Sequence, residues 1–137
     1  MTDLAIILGK AGVLLFTTGL FLGFILAKMR NPRLGLSAHL TTVQTGAILI
    51  ALALFWQYLE VPAAWTAFLI YAVIVSSYVL TAGIALSGFF GASKALPIAG
   101  AGHSASKSRE TIVSLLIYSS SLVMALAFIG ISYFTLS

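Results

Sequence analysis

The stretch Asn31-Pro32-Arg33-Leu34-Gly35-Leu36-Ser37-Ala38-His39-Leu40-Thr41-Thr42-Val43-Gln44-Thr45-Gly46 decides how the rest of the chain is read. It joins one long apolar segment to the next and carries the densest polar cluster in a chain with few polar residues. A helix entered at Ser37, a residue suited to an N-cap, places His39, Thr42 and Thr45 or Gly46 on one stripe at period 3.6. His39 is the histidine positioned to lie inside an apolar helix. An imidazole at the end of a polar stripe, in apolar surroundings, points to a ligand site. The plainer alternative is a histidine at a membrane interface, hydrogen-bonded to a neighbouring carbonyl.

Outward from that stretch, composition sets the class. Of 137 residues 61% are hydrophobic and 7% charged, and the mean hydropathy is +1.12. A soluble domain carries about 25% charged residues, so this chain cannot cover a water-facing surface. The expectation is an all-α integral membrane four-helix bundle in one transmembrane domain, 1–137. Its four transmembrane helices are expected at about 4–27, 37–59, 63–91 and 110–136. Each is long enough, at about 1.5 Å per residue, to cross a hydrocarbon core of about 30 Å. Asn31-Pro32 is read as a helix break, Glu60 and Pro62 as a tight turn, and 92–109 as a Gly/Ser/Ala-rich loop. Trp56, Tyr58 and Trp65 fall where an aromatic belt would sit. The first segment lacks a basic leader and its apolar run is too long for a signal peptide, so it reads as a retained helix.

The formal charge of +4 speaks to topology and not to nucleic acid. Lys28, Arg30, Arg33, Lys94, Lys107 and Arg109, six of the seven basic residues, cluster after the first and third spans. Asp3 and Glu60 lie at the opposite end, where Lys10 can snorkel. The positive-inside rule then puts both termini outside the cytoplasm and the 92–109 loop inside it; the chain is expected in the cell inner membrane as a multi-pass protein among lipid. Gly12, Gly19 and Gly23, then Ser77, Thr81, Ala85 and Gly88, then Ser114, Tyr118 and Ser121 form small or hydroxylated stripes, read mostly as helix packing.

Several chemistries are excluded. No Asp or Glu lies inside a span, which removes paired carboxylates for acid–base work and the relay of a proton pump. There is no phosphate-binding glycine loop, and two histidines without membrane carboxylates are too few for a zinc site. With no cysteine there is neither disulfide nor thiolate ligand. A cofactor held by one histidine remains, and haem on a single axial imidazole is the obvious member. His39 is then the metal ligand, and Arg30, Arg33 and Lys94 would suit haem propionates. His103, in the long loop, is expected to be solvent-exposed.

The run Asn31-Pro32-Arg33-Leu34-Gly35-Leu36-Ser37-Ala38-His39-Leu40, followed by Gly46, resembles the signature of hydroxylaminobenzene mutases, small four-span membrane enzymes. Lys94-Ala95-Leu96-Pro97-Ile98-Ala99-Gly100-Ala101-Gly102-His103, followed by Glu110, is similar to the same family's later motif. More distantly, the spacing of Ala38-His39 and Gly46 resembles styrene oxide isomerase, a haem b enzyme whose corresponding histidine is the axial ligand. That protein is a trimer with haem near subunit contacts. The chain departs from both families at Thr45, where an Asn is usual before the glycine. It also has Ser77 and Ala85 where the isomerase carries Asp and Tyr, with Tyr78 beside Ser77 and Thr81 in place of an Asn.

The resemblance implies a haem b-dependent isomerase that rearranges a small aromatic hydroxylamine to an ortho-aminophenol, ferric haem acting as Lewis acid. It implies His39, Thr42, Arg33 and His103 around the cofactor, and Thr45, Gln44, Ser77, Thr81 and Tyr78 as groups that steer the substrate. It also implies a homo-oligomer, a trimer. Two other readings are an epoxide-to-carbonyl isomerase and a non-catalytic haem-binding or accessory subunit, the haem-binding form with His103 as second axial ligand.

Overall fold

Thr2 opens the first helix by accepting the amide of Ala5 on its hydroxyl at 3.3 Å. The computed structural model describes residues 2–136; Met1 and Ser137, the two ends of the expected domain, lie outside the described residues. Helix α1 spans Asp3–Ile25 and tightens into a 3₁₀ turn at Leu26–Lys28. Helix α2 spans Pro32–Phe55, with a 3₁₀ turn at Trp56–Tyr58, and α3 spans Ala63–Phe90. Helix α4 spans Lys107–Leu136. All four are long and apolar enough to cross a membrane, and no strand occurs among the described residues.

Two boundaries differ from expectation. Helix α2 begins at Pro32, not Ser37, because Asn31 is the N-cap and Pro32 the first helical residue. Proline breaks a helix that precedes it but starts one readily, since its missing N–H is an orphan there anyway. Ser37 sits inside the first turns, with its hydroxyl donating to the Arg33 carbonyl. At the other junction Gly91, at φ 68°, ends α3 in the left-handed conformation that glycine favours. Lys107 and Arg109, expected in the loop, belong to the first turn of α4, so the loop is 91–106.

Helices α2 and α3 lie at the centre, with α1 on α2 and α4 on α3. The core has three levels. One apolar cluster, around Leu8, Leu49, Ile70 and Ile131, fills the end that holds the termini. A second, around Ala38, Ile84, Val113 and Ile117, fills the end beneath the loop. Between them lie buried hydroxyls: Thr42 and Thr45 on α2, Ser76, Ser77 and Thr81 on α3, Ser120 on α4. On α4 the buried face carries Val113, Ile117, Ser120, Ala127 and Ile131, so Tyr118 and Ser121 point outward. Tyr58 and Trp65 are exposed as a belt requires, whereas Trp56 is buried in the first cluster.

Candidate functional site

Helices α1 and α2 run antiparallel at very close range because the contact line is glycine. A Cβ on Gly46 would lie 2.5 Å from the Phe16 amide nitrogen, and one on Gly12 would lie 2.8 Å from that of Ile50. One on Gly19 would lie 2.8 Å from the Val43 amide nitrogen. No side chain fits in such gaps, so the backbones touch directly. At the loop end of this seam the small residue makes room for a ring. A Cβ on Gly23 would sit 3.0 Å from Cε1 and Nδ1 of His39.

His39 Nδ1 lies 2.7 Å from the Gly19 carbonyl oxygen. A carbonyl only accepts, so Nδ1 carries the proton and donates, which in the neutral ring leaves the lone pair on Nε2. Among the described residues Nε2 has no hydrogen-bond partner. A metal-ligating histidine is commonly held in this way, one ring nitrogen donating to a backbone carbonyl while the other is free to ligate. The carbonyl contact of the plainer reading is therefore present, and it fixes the tautomer that a ligand needs. The expected single stripe divides in two: His39 and Gly46 face α1, while Thr42 and Thr45 fall on the adjoining buried face.

One turn along α2, a cavity of about 180 Å³ opens between α1, α2 and α3. Thr18, Thr42, Tyr78 and Thr81 bring hydroxyls to it, and Leu15, Leu22, Ala82 and Ala85 complete the wall. Thr18 and Ala82 are exposed and form its mouth on the α1/α3 side. Leu22 precedes Gly23, and Thr42 lies one turn from His39, so the cavity abuts the seat of the imidazole.

Of the expected site residues, Thr42, Tyr78 and Thr81 meet here. His39 adjoins the cavity and is absent from its wall. Ser77 is buried and donates to the Val73 carbonyl at 2.6 Å. The Thr45 side chain is largely buried and its hydroxyl has no hydrogen-bond partner among the described residues, and Gln44 points out of the bundle at mid-helix. Thr18, with no place in the sequence reading, was detectable only as a polar residue one step before Gly19.

Arg33 and His103 belong to a separate assembly at the loop end. Arg33 Nη2 donates to the Ala101 carbonyl at 2.6 Å, and Arg30 Nη1 to that of Phe90 at 3.1 Å. Asn31 is fully buried and uses every polar atom. Its amide donates to Gly88 and its side-chain NH₂ to Ala99, while Oδ1 accepts from Arg33 and Leu34 and the carbonyl from Gly35. Glu110 accepts the amides of Ser93, Lys94 and Ala105 at 3.1, 2.9 and 2.9 Å. His103 is half-buried, contrary to the exposure expected of it. Its Nδ1 is enclosed without a partner among the described residues. No group of three or more metal-ligating side chains occurs among them.

The motif that seats His39 and the loop that Asn31 and Glu110 hold together are the two stretches on which the resemblance rests. Residues 5–136 match the family model described as styrene oxide isomerase. Hydroxylaminobenzene mutase HabA of Ectopseudomonas oleovorans is 34% identical over 110 residues, 80% of this chain and 82% of that protein. Hydroxylaminobenzene mutase HabB of the same organism is 36% identical over 116 residues, 84% of this chain and 71% of its own length. No solved structure matches the chain significantly. With nearly its whole length matched, the chain belongs to the styrene oxide isomerase family.

Proposed function

We propose that this protein is a membrane isomerase that converts a small aromatic hydroxylamine into the corresponding ortho-aminophenol, with haem b held through His39. The observation that supports the cofactor is the imidazole itself: Nδ1 is pinned to the Gly19 carbonyl, and Nε2 has no partner among the described residues. The relatives named as hydroxylaminobenzene mutases support the reaction. When bound, ferric haem supplies a Lewis acid toward the substrate oxygen.

The reaction moves one oxygen from nitrogen to the ortho carbon. That carbon loses a proton and the nitrogen gains one, so no electrons are exchanged with a partner. The chain's own residues have three tasks. Gly19 and Gly23 orient His39, the apolar wall of Leu15, Leu22 and Ala85 keeps water from the ring, and the hydroxyls of Thr42, Tyr78 and Thr81 fix its polar end. A 180 Å³ cavity is far too small for a porphyrin, so a haem held by His39 would need room beyond that cavity. This favours a homo-oligomer, a trimer by resemblance, and Gln44 on the outer face of α2 is a group that a second copy would cover. The basic residues gathered at the loop end favour the inner membrane, with both termini outside the cytoplasm.

The test is an absorbance spectrum and a pyridine haemochrome on protein purified from haem-replete cells, followed by incubation with phenylhydroxylamine. Expected are a Soret band and 2-aminophenol as product, both lost in His39→Ala while the helical circular dichroism is kept. A colourless wild type, or a His39→Ala variant of full activity, overturns the reading.

A further inference from the structure

Every hydroxyl that lines the cavity has already spent its proton. Thr18 donates to the Leu14 carbonyl at 2.9 Å, and Thr42 to that of Ala38 at 2.6 Å. Thr81 donates to Ser77 and Tyr78 carbonyls at 3.0 and 3.1 Å, and the Tyr78 phenol to the Ala11 carbonyl across to α1 at 2.8 Å. A hydroxyl has one proton and two lone pairs, so each offers a bound molecule acceptors alone. The remaining wall is Leu and Ala, and backbone amides inside helices are engaged in their own ladder. Among the described residues the cavity wall accepts hydrogen bonds and donates none.

We infer that this polarity selects the substrate: the cavity takes a single-ring aromatic bearing N–H or O–H donors and disfavours an epoxide. An arylhydroxylamine carries one N–H and one O–H, both of which find lone pairs here. An epoxide carries an acceptor oxygen and no donor. To bind it, a threonine must break its bond to the preceding turn, or the oxygen must face other lone pairs. A site built to pair a substrate's N–H or O–H discriminates strongly against an analogue that lacks it. Size agrees with one ring: an apolar cavity of about 150 Å³ holds benzene, and this one is about 180 Å³. Ala82 and Ala85 leave that space, and Thr18 and Ala82 at the mouth admit a ring from the side of the bundle.

The inference deepens the proposed reaction and rests on it for the identity of the site, but its test reads binding and not turnover. Full-length protein in lipid nanodiscs is titrated by ligand-observed NMR with N-methylaniline and benzyl alcohol, which donate. N,N-dimethylaniline, anisole and styrene oxide, which do not, form the matched set. Expected is tighter binding of the donors by about tenfold, the order of one net hydrogen bond. Thr81→Val should erase most of that preference without weakening anisole, and Ala85→Leu should abolish binding of all five. Equal affinities, tighter binding of styrene oxide, no binding by any probe, or binding undiminished in Ala85→Leu each overturn the inference. Donor preference without conversion of phenylhydroxylamine would sink the proposed reaction alone. Conversion without donor preference would sink this inference alone.

Discussion

The two ends of α2 are held in opposite ways. Along the seam with α1, from Gly12 and Gly46 to Gly23 and His39, contact is backbone on backbone, and the hydroxyls nearby bond chiefly to the turn before them. At the loop end, side chains reach across the chain. Asn31 and Arg33 hold Ala99 and Ala101, each 68 residues away, and Glu110 gathers Ser93, Lys94 and Ala105. The difference fits helices long and apolar enough to cross a membrane. Helices in an apolar medium gain little from hydrophobic contact with each other and associate by shape, which favours glycine. An irregular loop has free amides and carbonyls that something must pair. The seam thus depends on what is missing from its side chains, and the cap on what its side chains donate and accept.

The comparison is broken most severely at Gly46. In Gly46→Leu the new Cβ meets the Phe16 backbone, which no rotamer change relieves, so α1 and α2 must separate. Overpacking of this kind costs about 3 kcal/mol or more. Thermal unfolding in detergent should show a large loss of stability, together with loss of any ligand that depends on His39. A midpoint within a few degrees of wild type would mean the helices are not seated this closely. A smaller effect is expected from Glu110→Gln. An amide presents one acceptor oxygen where the carboxylate presents two, and its NH₂ opposes one of the three donors. The loss is about 2 kcal/mol, confined to the cap, and visible as protease cleavage within 91–106 while the apolar helices stay protected. Cleavage unchanged from wild type would show that the carboxylate does not hold the loop.

How much of this was readable beforehand depends on whether a residue's role is local. His39 stood out because an imidazole is rare in an apolar helix, and the glycines of α1 stood out as a close-packing stripe. Which helix they would meet is a long-range fact that no period contains. Asn31 was misread because Asn-Pro serves equally as a stop and as a cap with its first residue, and the choice depends on the Gly88 and Ala99 groups that bury it. The face of α4 was misplaced for a different reason. When both sides of a helix are apolar the hydrophobic pattern has no contrast, and serine on Tyr118's side looked as internal as Ser120. Glu110 had a place in the later motif but no role, since a carboxylate's amide partners exist only once the loop is folded.

The finest probe of the seam is Gly23→Ala, which adds one methyl group 3.0 Å from two atoms of the His39 ring. That distance is tight for carbon but the neighbour is a side chain, so a shift of a few tenths of an ångström relieves it without parting the helices. Stability should fall by less than about 1 kcal/mol, the level of a mild packing change. The hydrogen bond from Nδ1 to the Gly19 carbonyl is the part that suffers, because its length is set by how deeply the ring sits between Gly19 and Gly23. Once that bond lengthens, the imidazole is free to rotate and to exchange tautomers, and Nε2 is no longer presented as a fixed lone pair. The expected signature is a normal unfolding midpoint with weakened occupancy of the proposed ligand of His39, which for the haem proposed above is read as a reduced Soret absorbance per protein. Full occupancy in Gly23→Ala would show that the glycine serves only the crossing of the helices, and that the imidazole keeps its orientation from elsewhere.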